Sequence, residues 1–148
     1  MHAVTIVDGA LEWRQHPDPQ PGVGEVLVEV RAAGISNADL LQRAGFYPPP
    51  PGAPRDIPGL EAAGEVVALG PGATRFSVGD RVMAVLAGGG HAERFVVHER
   101  AALPVPAGVS WEQAGAFPEN VTTAHDALFT QAALTMGARL CVHGAAGG

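Results

Sequence analysis

Val26, Val28 and Val30 occupy every second position, and Val66 and Ala68 resume the alternation further along the chain. A strand with one buried face is predicted at each place. Between them the sequence GISNADLLQRAG predicts a short helix over 36–44, closed by Gly45. A loop with six prolines and Tyr47 follows. Each proline fixes its own φ and biases the preceding residue toward extended backbone, so this loop is stiff by composition. A stiff loop held at the end of strands is a place to position a ligand. Ser36, with Asp39 three residues on, has the spacing of an N-cap followed by a carboxylate at the positive end of a helix. Whether Ser36 only starts that helix or also serves a site stays open at this point.

The rest of the pattern extends a mainly β reading with short helices. Residues 2–15 read as a hairpin around Asp8-Gly9, a pair suited to the positive φ angles of a two-residue turn. Residues 16–24 are a proline- and glycine-rich connector, and 25–33 the strand that follows. Further strands are predicted over 60–69, 81–86 and 92–98, with turns at Gly70-Pro71-Gly72, Val78-Gly79-Asp80 and Gly88-Gly89-Gly90. Many short strands separated by turns point to a closed or nearly closed β-barrel rather than a parallel sheet.

After Gly108 the character changes. Ser110 with Gln113 is a capping-box pattern, and the helix it opens should be interrupted by Pro118. A second helix is predicted from about 120 to 136, with Val121, Ala124, Leu128 and Ala132 on one face and Gly137 as its stop. Residues 139–143 read as a buried strand. Gly144, Ala145, Ala146, Gly147 and Gly148 form the glycine-rich turn after it.

Composition narrows the function classes. The chain of 148 residues is long enough to bury one core, and it carries 9 basic against 15 acidic residues, a formal charge of −6. With no basic cluster, the electrostatic footprint of a nucleic-acid binder is missing. No apolar run approaches the ~18 residues of a membrane-spanning helix, and no basic leader precedes the first strand, so a soluble cytoplasmic protein is expected. The single cysteine, Cys141, excludes an intrachain disulfide. The six histidines form no metal-binding spacing, and Trp13 and Trp111 read as packing residues.

The run ADLLQRAGFYPPPPGA, then GLEAAG, resembles the first catalytic segment of the medium-chain dehydrogenase/reductase superfamily. Within it the chain is most similar to the zinc-free quinone oxidoreductases of the p53-inducible type. The resemblance continues through VVALGPGATRFSVGDRVMAVLAGGGHAERFVV, PVPAGVSWEQAGAFPENVTTAHDAL and GARLCVHGAAGG. It covers essentially the whole chain, and five segments in family order carry it. It implies a GroES-like partial β-barrel as the catalytic domain over 1–109 and linking helices over 110–136. The first strand and glycine-rich turn of a truncated Rossmann-type nucleotide-binding domain would occupy 137–148. In the family that turn leads into a helix whose N-terminus binds the cofactor pyrophosphate. The chain is therefore read as the front portion of a larger reductase.

The resemblance also implies the chemistry. Zinc-dependent alcohol dehydrogenases of the superfamily have a Cys where Ser36 stands, a His where Leu60 stands and a relay hydroxyl where Ala38 stands. Leucine cannot ligate zinc and serine is a poor ligand, so no metal is expected, and Glu61 alone makes no site. The implied activity is zinc-independent hydride transfer from NADPH to a small-molecule quinone or α,β-unsaturated carbonyl, in a homo-oligomer of the full-length form. Negative charge then builds on the acceptor oxygen and must be met by hydrogen-bond donors. Tyr47, at the family's tyrosine position, is the first candidate; its other reading is an aromatic packed on the prolines. Asn37 is the second. The family commonly places asparagine one residue earlier, so Ser36 is a third. Thr123 aligns with a threonine near the nicotinamide, or is a helix hydroxyl bonding to its own previous turn. Gly144, Ala145, Ala146, Gly147 and Gly148 would meet the pyrophosphate. Asp126 and Glu119 read as solvated helix charges. The alternatives left open are a GroES-like module that binds a ligand or partner without redox chemistry and, among enzymes, an alkenal or enoyl reductase.

Overall fold

The computed structural model describes residues 1–144, so Ala145, Ala146, Gly147 and Gly148 of the expected pyrophosphate turn lie outside the described residues. The chain opens with β1 (His2–Val7) and β2 (Ala10–Gln15), an antiparallel pair with Val7 opposite Ala10. Asp8 and Gly9 turn between them at φ 50° and 79°, as the Asp-Gly pair predicts. Gly9→Ala is therefore expected to cost ~1–2 kcal/mol, because the added Cβ disfavours the left-handed conformation although nothing lies near it. A urea melt reads the loss, and an unchanged midpoint would contradict it.

The main sheet holds five antiparallel strands in the order β6-β3-β4-β5-β7. They are β3 (Glu25–Ala33), β4 (Glu61–Leu69), β5 (Arg81–Val85), β6 (Arg94–His98) and β7 (Ala102–Pro104). Of the alternating positions Val26, Val28 and Val66 are fully buried while Val30 and Ala68 are half-buried; the buried three pack with Val82, Phe76, Phe95, Val97 and Ala102. Each such side chain contributes ~1.5–3 kcal/mol of burial. The β3–β4 register slips twice, between Leu27 and Val28 and between Val30 and Ala32. Bulges of this kind sharpen the right-handed twist and curl the sheet into a half-barrel. The hairpin is tied to its mouth by an Ala3–Ala92 bridge and by Val4 N–H donating to the His91 carbonyl at 2.8 Å. The mainly β architecture with few helices is the one expected; β7, only three residues long, is too short to show a pattern of its own in the sequence.

Three short helices complete the described chain: α1 (Asn37–Arg43), α2 (Trp111–Gly115) and α3 (Pro118–His125). In α2 both arms of the predicted capping box form, Ser110 with Gln113. Gly115 lies so close to strand β3 that a Cβ there would come within 2.8 Å of the Ala32 backbone. That close seat fixes where the chain turns into α3, which starts at Pro118 because proline is favoured at a first helical position.

Two expectations fail beyond this point. The helix expected over 120–136 is shorter: α3 gives way to a π-helical segment, Asp126–Gln131, and Ala133 at φ 48° ends it. Its apolar face does not form a packed ridge, since Val121, Ala124 and Ala132 are exposed and only Leu128 is half-buried. Residues 139–143 are exposed and pair with no strand among the described residues, so the buried strand expected there is absent. A strand stands only where neighbours satisfy its backbone. No helix of the described residues is long and apolar enough to cross a membrane.

Candidate active site

Helix α1 carries the first wall of a cleft. Ser36 is its N-cap in extended backbone (φ −118°, ψ 166°), and its N–H donates to Asp39 Oδ2 at 2.7 Å. The other oxygen of that carboxylate accepts the Gly59 N–H at 3.2 Å, so Asp39, 6 % exposed, joins the helix to the segment leading into β4. Asp39 thus takes the structural role that its spacing suggests. Ser36 Oγ faces the Asp39 backbone N–H as the other arm of the box, but it is buried and makes no hydrogen bond.

The second wall is the first turns of α3. Ser36, Asn37 and Ala38 from α1 face Glu119, Asn120 and Thr123 from α3 across a cleft of about 370 Å³. Three of the residues singled out in the sequence, Ser36, Asn37 and Thr123, are thereby brought together. Thr123 is exposed on the cleft wall, and the back-bonding hydroxyl in this helix is instead that of Thr122, which donates to the Pro118 carbonyl at 2.6 Å. Tyr47 is not among the residues lining this cleft. It lies in the proline loop, past the far end of α1, and is 48 % exposed. Gly144 is exposed, at φ 66°.

Two carboxylates gain a partner that the sequence does not show: Glu119 on the cleft wall and Glu61 beside it. Glu61, the first residue of β4, is 3 % exposed, and its Oε2 accepts the backbone N–H of Glu119 at 2.9 Å. Burial pushes its pKa up, the Glu119 N–H bond pulls it down, and the charges of Glu119 and Asp39 push it up again. Glu119 is half-buried rather than solvated, and burial followed by the Asp39 charge raises its pKa too. Only contact across the fold could have revealed this pair, because 58 positions separate its members.

A carboxyl whose folded pKa lies above the unfolded value costs stability when ionised, and the cost is relieved as pH falls through the folded value toward the ordinary glutamate range. Glu61→Gln removes that charge and keeps an acceptor oxygen. It is expected to raise the urea midpoint at about pH 8, with the gain shrinking toward about pH 5. A gain of equal size at both values would sink this account.

Leu60, 3 % exposed, has no donor atom, and Ser36 offers only a neutral hydroxyl. Among the described residues no three His, Cys, Asp or Glu side chains form a group that could hold a metal ion.

A curled antiparallel half-barrel, with a capped helix followed by a proline-rich loop, defines the GroES-like class of domain. The comparisons agree: the sequence matches the family described as "Alcohol dehydrogenase GroES-like domain" over residues 22–131. The chain belongs to that family, within the medium-chain dehydrogenase/reductase superfamily. It is 39 % identical over 138 residues to the synaptic vesicle membrane protein VAT-1 homolog of Rattus norvegicus, covering 93 % of this chain and 34 % of that protein. It is 40 % identical over 140 residues to a quinone oxidoreductase of Pseudomonas aeruginosa, covering 93 % and 42 %. A mycobacterial protein, Rv1454c, solved in complex with NADPH, superposes with a TM-score of 0.80 at 34 % identity, over 93 % of this chain and 43 % of that one. The chain thus spans well under half the length of each of these relatives.

Proposed function

We propose that this chain forms the acceptor-side wall of a zinc-independent, NADPH-dependent oxidoreductase that reduces a quinone or an α,β-unsaturated carbonyl. The observation that carries the reading is the meeting of Ser36, Asn37 and Thr123 in one cleft, with Ser36 Oγ a buried hydroxyl lacking a partner. A buried polar atom without a partner is costly in a protein that has no use for it. The quinone oxidoreductases and the NADPH complex among the relatives support the same class of substrate and cofactor.

The nicotinamide would supply the hydride, held against Thr123, with Gly144, Ala145, Ala146, Gly147 and Gly148 toward the pyrophosphate. The chain's own residues receive the acceptor. Asn37 donates an amide N–H to the oxygen on which charge builds, and Ser36 Oγ–H is a second donor beside it. Tyr47 lies in the proline loop outside this cleft and would serve as a donor only if that loop moved over the acceptor. Neutral donors suit this task because they stabilise the oxyanion without changing their own charge. Fixing donor and acceptor in one cleft supplies the rest of the rate, since orientation can be worth ~7–11 kcal/mol. The proton that completes the product comes from water. The apolar Leu60 leaves this site no imidazole with which to hold zinc.

The test is NADPH oxidation by the intact protein with 1,4-benzoquinone, followed by absorbance, together with its intact mass. Consumption of NADPH that depends on Asn37 is the expected result. Saturable binding of either compound with no turnover would favour the ligand-binding module instead, and no response to either would overturn both readings.

A further inference from the structure

We propose that Glu61 is the positioning residue of the cleft: its carboxylate clasps the first turn of α3 and so holds Asn120 and Thr123 opposite Ser36 and Asn37. This rests on the functional reading of the cleft given above, but the geometry is independent of it. Helix α3 has no cap of its own, since its N-cap is Phe117, whose side chain makes no capping bond. The first N–H groups of a helix need an acceptor, and here a strand residue supplies one: Glu61 Oε2 meets the Glu119 N–H at 2.9 Å. A negative group at that end also complements the helix dipole.

The carboxylate is confined from the other side too. Were Gly34 to carry a Cβ, it would lie 2.0 Å from Glu61 Oε1 and 2.5 Å from its Cδ, so the absence of a side chain at Gly34 makes the seat. Behind that glycine, His91 Nε2 lies 2.9 Å from the Gly34 carbonyl, which can only accept, so this nitrogen bears the hydrogen. The charged groups acting on Glu61 are Asp39 from α1 and Glu119 from α3, both acidic. A carboxylate kept buried against two like charges is expensive. The hydrogen bond to α3 is what it provides in return.

The exposed face of α3 explains why such a clasp matters. Residues 120–125 are all exposed, so little packing anchors the cleft-forming turns of the helix. With few buried contacts, a single bond at the N-terminus decides how far the helix frays.

Amide signals of the chain in solution test this without reference to turnover. In the wild type the Glu119 amide proton should shift with pH more than its own carboxyl accounts for, and Glu61→Gln should remove that larger part, leaving only the step of Glu119 itself. In Glu61→Ala the Glu119 and Thr123 amides should exchange at least about tenfold faster, while those of Val28 and Val66 in the sheet stay unchanged. Glu61→Gln, which keeps an acceptor, should restore most of the protection. A Glu119 amide that ignores pH in the wild type would overturn the proposal, even if Glu61→Ala fails to fold. Equal exchange in wild type and Glu61→Ala would overturn it as well. Adding NADPH or 1,4-benzoquinone separates the two readings: a clasp that behaves as described, with no response of Asn37 or Thr123 to either compound, removes the proposed function and leaves the role of Glu61 standing.

Discussion

Gly64→Val is expected to abolish the native fold, and Gly64→Ala to cost at least ~3 kcal/mol. Gly64 sits at the second bulge of the β3–β4 pair, opposite Val30, where Arg31 is the extra residue. A Cβ at this point would lie 2.0 Å from the Glu29 carbonyl oxygen and 2.8 Å from Val28 Cγ1. The first of these is backbone in the centre of the sheet, so it cannot swing aside as a side chain could. Relief requires β3 and β4 to part, and that pair carries Val28 and Val66 of the core. Stabilities of ~5–15 kcal/mol leave little margin for such a loss. Gly72→Ala is the control. Gly72 has a positive φ of 76° but nothing within 4 Å, so it should lose only the ~1–2 kcal/mol of an unfavourable conformation. If both alanine variants shift the urea midpoint equally, the close approach at Gly64 is not what requires glycine there.

Gly64 also shows where reading the sequence reaches its limit. The alternation of Val26, Val28 and Val66 announces two strands, and the Asp8-Gly9, Ser36/Asp39 and Ser110/Gln113 signals announce a turn and two helix starts, because each acts over at most a few residues. The bulge that makes a strand glycine obligatory has no such local signature, being a relation between two strands. The same holds for Glu61 and Glu119. One reads as a lone carboxylate and the other as a solvated helix charge until the fold brings the first to the backbone of the second. At 120–136 a helical period is present, but α3 breaks into a π-helical segment and leaves its apolar face without a partner. Periodicity records which face could be buried, and only tertiary contacts bury it.

Within the cleft the sequence names candidate residues that it cannot place. Ser36 and Asn37 are adjacent, so their joint presence at the start of α1 follows from the helix start itself. That Thr123 faces them required α2 to be seated on β3 through Gly115. Tyr47 separates from this group because it follows the C-terminal end of α1, four residues past Arg43, while Asn37 stands at the start of that helix and only the start lines the cleft.

That distance makes the effects of Asn37→Ala and Tyr47→Phe on turnover the measurement that decides which donor serves the acceptor oxygen. Removing a single donor to a developing oxyanion costs ~2.7–4 kcal/mol, or about 10²–10³ in kcat. Asn37 lies on the cleft wall beside the unpartnered Ser36 hydroxyl, so Asn37→Ala is expected to lower kcat of the intact protein by about 10²-fold. KM for NADPH should stay nearly constant, because the amide acts where charge develops rather than where the cofactor rests. Tyr47→Phe should lower kcat less, and it too should leave nucleotide binding unchanged. The Tyr47 phenol lies outside the cleft, so at most it would add to the stabilisation proposed for the α1 donors. Steady-state rates over a range of quinone concentrations separate these outcomes. If Tyr47→Phe proves the more damaging, the loop must fold over the bound acceptor, and the donor is the tyrosine. If neither substitution changes kcat, the charge on the acceptor oxygen is met by water, and the α1 wall of the cleft has no part in the chemistry.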